Sequence, residues 1–164
     1  MKQIQVNELS NVFEKISKEW MLVSAKKIDG SMNTMTASWG GLGFLWGKNV
    51  AFVFVRPQRF TKEFIDEQDY LSLSFFSEDY RKMLSFMGSK SGRNIDKIKE
   101  QNLTILEDVA PVFEEAKLTL VCKKLYAQEM KKDCFLDNEI IEKWFPNNDF
   151  HTMYVVEILK VLEN

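Results

Sequence analysis

Two clusters of residues could grip an anion. Arg56, Arg59 and Lys62, with Phe60 and Thr61 among them, stand directly after the apolar run Val50-Ala51-Phe52-Val53-Phe54-Val55. Guanidinium groups meet phosphate oxygens through paired hydrogen bonds, and Thr61 falls where a helix can start and offer free N–H groups. Gly88-Ser89-Lys90-Ser91-Gly92-Arg93 is a second small, polar and basic loop, with Ser89, Lys90, Ser91 and Arg93 as its candidate contacts. Its glycines allow the backbone to curl round a phosphate, but it lacks the Gly-Lys-Ser/Thr ending of a P-loop. A plain solvated turn and a plain flexible loop are the competing readings of these two segments. Upstream lies Asn33-Thr34-Met35-Thr36-Ala37-Ser38-Trp39. Small side chains at Thr36, Ala37 and Ser38 let a flat ring approach the backbone, with Asn33 and Met35 flanking that contact. Trp39 could wall the ring or fill the core. A ring and a phosphate a short distance apart describe a nucleotide-like cofactor.

The elements that must position these residues follow from pattern. Leu9, Val12, Phe13 and Ile16 have helical spacing, with Asn7 placed as a cap. Trp20 to Lys27 reads as a strand, Asp29-Gly30 as a hairpin turn, and the next strand starts near Met32. Gly40, Gly41, Gly43 and Gly47 predict a flexible or tightly turning loop before a central strand, Val50 to Val55, that Pro57 ends. Thr61 to Glu67 predicts a helix with Phe64 and Ile65 inward, and Tyr70 to Phe76 a strand alternating Leu71, Leu73 and Phe75 against Ser72 and Ser74. Asp79 can cap a helix to Met87, and Asp96 to Glu100 forms a helical turn. Leu103 to Leu106 is extended, and Ala116 to Met130 is a long strand. Asp137 or Asn138 caps a helix through Trp144, and Thr152 to Leu162 is the last strand. Six or seven strands at short spacing, without regular alternation with long helices, favour an antiparallel barrel with helices at its ends over a doubly wound sheet.

Composition bounds the function. The 164 residues suit one domain, 1–164, and 45% hydrophobic content disfavours disorder. A net charge of −2 argues against general nucleic-acid binding. The polar N-terminus and the lack of a long apolar run predict a soluble, cytoplasmic protein. Cys122 and Cys134 read as reduced thiols, and with one histidine they are too few for a zinc site. His151 would have to be the only base of a catalytic triad; it is either structural or close to the cofactor. Trp20, Phe44, Trp46 and Trp144 suit core or dimer contacts, although Phe44 and Trp46 could instead cover a ring.

Five segments in order carry a resemblance over nearly the whole chain. They are Asn33 to Trp39, Arg56-Pro57-Gln58-Arg59-Phe60-Thr61, Ser91-Gly92-Arg93 with Asp96-Lys97, Ala116-Lys117-Leu118 leading to Cys122, and His151-Thr152-Met153-Tyr154 before Glu157. Together they resemble the flavin reductase-like family, nearest its small flavoredoxin-like branch. The resemblance implies a mainly β (α+β) fold, the antiparallel FMN-binding split β-barrel with short peripheral helices. It implies a homodimer with FMN in a groove near the subunit interface, and electrons arriving from NADH or NADPH. The cofactor-binding set becomes Asn33, Met35, Thr36, Ala37, Ser38, Trp39, Arg56, Arg59, Phe60, Thr61, Lys62, Ser89, Ser91, Arg93 and His151, with Arg56 at a position where the family carries an arginine. No catalytic side chain and no metal is expected, because the flavin carries the chemistry. An electron carrier without its own NAD(P)H turnover is the alternative. A non-enzymatic flavin- or haem-binding module is a third reading, thin for haem with a single histidine. The electron acceptor stays open.

Overall fold

The computed structural model describes residues 1–164. β1 (Lys2–Ile4) is followed by a short helical stretch, α1 (Val12–Glu14), that runs on as one π-helical turn, Lys15–Glu19. This departs from a helix capped by Asn7: Val6–Glu8 forms its own 3-10 turn, and Asn11 stands at φ +50° before α1. Of the apolar stripe, Ile16 is buried while Phe13 is 89% exposed. Too few turns are present for the stripe to settle on one face.

β2 (Met21–Lys26) and β3 (Met32–Ala37) form a hairpin, Val23 opposite Met35. Its turn is the Asp29-Gly30 turn the sequence predicts, with Gly30 at φ +84° and the Asp29 carboxylate accepting from the Ser31 N–H at 2.8 Å. Two residues later a second hairpin begins, β4 (Gly40–Leu45) against β5 (Lys48–Val55). The glycine spacing predicts a loop here, and the structure has a strand. What Gly41 and Gly43 leave bare is covered by one aromatic: a Cβ on either would meet the Phe52 ring, at 3.6 and 3.4 Å. The turn itself is Trp46-Gly47, both with positive φ, which suits a two-residue hairpin.

β6 (Tyr70–Phe75), a small ribbon of β7 (Ile105–Leu106) and β8 (Val112–Phe113), β9 (Leu118–Glu129) and β10 (Thr152–Glu163) follow. The main sheet is antiparallel in the order β3-β2-β6-β9-β10-β5-β4, with β1 on the far part of β10. Strands therefore outnumber the six or seven read from the sequence. β5 is not central either. It stands one place from the edge, and the middle belongs to β9, which pairs with β10 from Leu118–Glu163 to Glu129–Thr152 through two bulges.

Val53, Val55, Leu71, Leu73, Leu120, Cys122, Tyr154 and Val156 face one core. The partners of that alternation are not solvated. Ser72 and Ser74 are fully buried, Ser74 against the Thr119 hydroxyl at 3.0 Å and Ser72 donating to the Pro111 carbonyl. A second core of Leu22, Phe76, Met83, Leu84, Met87 and Phe113 lies on that side.

Four further helices frame the site. α2 (Thr61–Glu67) buries Phe64 and Ile65, as its spacing predicts. α3 (Arg81–Ser89) takes in Gly88 and Ser89, which the sequence assigns to a loop. It lies on β3, where the Thr36 hydroxyl donates to the Leu84 carbonyl at 2.5 Å. A Cβ on Gly88 would stand 3.3 Å from the Thr36 Cβ, so the missing side chain sets the approach. α4 (Lys97–Glu100) is capped by Asp96, and α5 (Asn138–Trp144) by Asp137. No helix is long and apolar enough to cross a membrane.

Candidate functional site

β3, the turn from β5 into α2, the end of α3 with the loop after it, and the corner from α5 into β10 enclose one groove. Its larger part, about 490 Å³, is bordered by Asn33, Phe60, Thr61, Ser89–Gly92 and Lys97. Its smaller part, about 170 Å³, is bordered by Thr36–Trp39, Phe54, Trp144 and His151. Met35, Arg56 and Arg59 border both, which makes the two parts continuous.

The structure thus brings together Asn33, Met35, Thr36, Ala37, Ser38, Trp39, Arg56, Arg59, Phe60, Thr61, Ser89, Lys90, Ser91 and His151. Lys62 and Arg93 stand outside the lining. α2 offers Lys62 a carboxylate one turn on, Asp66 at 2.6 Å. Arg93 pairs with Glu63 and lies over the Phe60 ring, 4.4 Å from its centre. Phe44 and Trp46 do not line the groove; Trp46 stacks edge-on near Tyr126, with ring centres 6.2 Å apart. Trp144, read as core or interface, is a groove wall.

At the polar end the cations differ in what holds them. Arg56 donates to Asp149 at 2.5 Å and to the Trp144 carbonyl at 2.8 Å. Gln58 donates to the same Asp149 oxygen at 2.8 Å, and the bonds from Gln58 and Arg56 hold that carboxyl below its usual range. Arg59 donates to the Gly88 carbonyl at 2.5 Å, and burial, with Arg56 nearby, lowers its pKa. Lys97 is 4% exposed and donates to the Met87 carbonyl at 2.9 Å. Burial and then Arg59 bring its ammonium down to about 8. The sequence places Lys97 in a motif but not among the contacts. A lone lysine opening a one-turn helix gives only a faint signal.

Close packing sets the floor of this end. The Asn33 amide donates to the Thr61 hydroxyl at 2.9 Å, both side chains buried. Gly92 lies so tightly on Asn33 that a Cβ there would be 2.1 Å from the amide oxygen.

The other end is aromatic. Trp39 meets Trp144 edge-on with ring centres 5.0 Å apart, and the His151 ring at 5.2 Å. His151 is 7% exposed, and burial, then Arg56, hold its pKa at about 4. The imidazole is neutral at neutral pH. Its Nδ1 and one oxygen of Asp149 are buried without a partner. Buried polar atoms are normally satisfied, so the orphaned Nδ1 of His151, which borders the groove, suits a ligand with a polar edge.

The buried histidine carries a stability prediction. The unfolded chain takes up a proton near pH 6.5 that the folded chain refuses until about pH 4, so stability present above pH 6.5 is lost as pH falls through that window. Urea titrations of the wild type and His151→Gln between pH 7.5 and 4.5 should show the wild type losing about 2 kcal/mol more. Parallel curves would mean that His151 is free to charge in the folded protein.

The comparisons with known proteins fit this frame. Residues 13–164 match the family model described as the flavin reductase-like domain. The chain belongs to the flavin reductase-like family. Among solved structures, flavoredoxin of Desulfovibrio vulgaris (Miyazaki F) superposes with a TM-score of 0.70 at 20% identity, covering 100% of this chain and 77% of that one. Flavoredoxin from Methanosarcina acetivorans gives 0.71 at 20% identity, covering 100% and 76%. An FMN-binding domain of a flavin reductase-like enzyme from Shewanella baltica gives 0.69 at 13% identity, covering 98% and 75%. No curated protein matches the sequence. The split-barrel expectation agrees with the fold: this flavin reductase-like sheet is antiparallel and stays open, with β3 and β4 at its edges.

Proposed function

We propose that the groove holds FMN and that this flavin reductase-like protein is an oxidoreductase taking electrons from NADH or NADPH. One observation carries the reading: the small-residue edge Thr36–Ser38 and the cations Arg59 and Lys97 border one continuous space. The residues present fit a flavin. β3 is a sheet edge, so part of its backbone is free to bond a planar polar rim. Trp39 and Trp144 wall that end with aromatic surface. Neutral His151 offers one ring nitrogen as donor and one as acceptor. Thr61, Ser89 and Ser91 supply hydroxyls beside the cations.

When bound, the flavin supplies the two-electron chemistry, and the chain supplies binding, orientation and electrostatics. Purified protein incubated with FMN and freed of excess by gel filtration should carry close to one flavin per chain. The same column should return a homodimer, for which exposed Phe44 and Trp46 beside edge strand β4 offer apolar surface. Protein that elutes without flavin absorbance overturns the proposal. The name flavoredoxin on two similar structures supports the carrier alternative. Anaerobic mixing with NADH and NADPH separates the two: a bleached flavin supports the reductase, an unbleached one the carrier.

A further inference from the structure

We infer that Met130, Cys134 and Met153 form a binding site for one soft monovalent metal ion, Cu(I). The three residues border a single hollow of about 310 Å³ where the chain leaves β9 and returns as β10. None of them lines the flavin groove, so the inference does not depend on the flavin reading.

Strand register brings the two thioethers together. Met153 stands directly opposite Gln128, and one step further along the ladder the Met130 N–H donates to the His151 carbonyl at 2.9 Å. Residues directly opposite share a sheet face, and so do residues two apart on one strand. Met130 and Met153 are therefore diagonal neighbours on one face, at roughly 7 Å, a separation that long side chains bridge. Cys134 ends the 3-10 turn Lys132–Cys134, its N–H bonded to the Lys131 carbonyl at 3.0 Å, and that turn sets the thiol against the same hollow.

The chemistry of this set is narrow. Thiolate and thioether sulfurs are soft donors, and they select Cu(I) over the hard cations that carboxylates hold. No three groups among His, Cys, Asp and Glu converge elsewhere to hold a harder ion. The thiol gives its proton to water as the metal binds. One thiolate then cancels one Cu(I) charge, and the thioethers add none. A neutral complex suits a hollow walled by Met130, Phe135 and Met153, where a net charge would be costly. Glu129 and Lys131 border it with opposite charges. The unbranched methionine side chains can turn their sulfurs onto an ion. Cys134 is exposed and can exchange metal with solvent, whereas Cys122 is fully buried, and burial pushes its thiol up. A count of cysteines and histidines misses such a site, because two of its three donors are methionines.

Anaerobic titration of the whole protein with Cu(I), in competition with the chelator bicinchoninate, tests the inference. One Cu(I) per chain should pass from the chelator to the protein. Cys134→Ser should abolish the transfer. Met130→Leu combined with Met153→Leu nearly conserves volume, so the urea midpoint and the one reactive thiol should be retained. Cu(I) affinity should nevertheless fall at least about tenfold, the least that loss even of an outer-shell partner costs a metal site. If the double variant does not fold, each single leucine variant is read in the same way. Copper that stays with bicinchoninate overturns the inference. So does a leucine variant that takes copper as well as wild type, since the binding would then belong to a surface thiol alone.

Discussion

Gly92→Ala should cost the apo-protein about 2–4 kcal/mol and weaken flavin binding at least tenfold, a large effect for one methyl group. The added carbon would stand 2.1 Å from the Asn33 amide oxygen, 2.8 Å from its Cγ and 3.1 Å from its nitrogen, so the whole amide must move. Moving it breaks the buried bond to the Thr61 hydroxyl and leaves two groups unsatisfied at the floor of the groove. Conformation is not the cause, since Gly92 is not among the residues with positive φ. Space is. Asn33→Ala in the same chain should therefore restore much of the stability by removing what the methyl strikes, without restoring the flavin contact. Urea unfolding and flavin titration of the two single variants and the double variant read both effects. A double variant no more stable than Gly92→Ala would show that the damage does not pass through Asn33.

The same geometry shows how far the sequence could reach. α2 is legible at its observed bounds, because Pro57 stops the strand before it and Phe64 and Ile65 share a face. The ring edge and the anion turn are legible as motifs, because residue type carries their chemistry. That they border one space is not, because this depends on α3 ending on β3, where Gly88 admits Thr36. β4 is misread because its alternation lives on another strand: Phe52 supplies the side chains that Gly41 and Gly43 lack. Ranking the cations fails for a related reason. Lys62 has Asp66 within sight four residues on, but Arg93 finds Glu63 and Arg56 finds Asp149 only once the chain has folded. A charge in a motif shows that a cation is present; whether a ligand can have it depends on partners from elsewhere.

Arg56 is where that distinction has its largest measurable consequence. The family resemblance makes it a phosphate ligand; in the structure it borders the groove and is also a joint. Its guanidinium ties the end of β5 to Asp149 and to the last carbonyl of α5, and it stands 5.6 Å from the centre of the Phe145 ring. Arg56→Ala strips Asp149 of its cation while one oxygen of that carboxylate is already buried without a partner. Both side chains keep some solvent contact, 27% and 16%, so the loss falls below the range for a fully buried pair, at about 2–3 kcal/mol of apo-protein stability. Asp149→Asn removes the charge that would be stranded, and Arg56→Ala made in that background should cost only about 0.5–1 kcal/mol. The difference is the coupling between the two residues, read from four urea titrations at pH 7. FMN binding should also weaken in Arg56→Ala, because the wall that carries Trp144 and His151 is no longer fixed to β5. Riboflavin should weaken with it, since a displaced wall affects the ring rather than the phosphate. If Arg56→Ala instead keeps its apo stability and loses FMN alone, Arg56 is a ligand after all, and its bond to Asp149 gives way when phosphate binds.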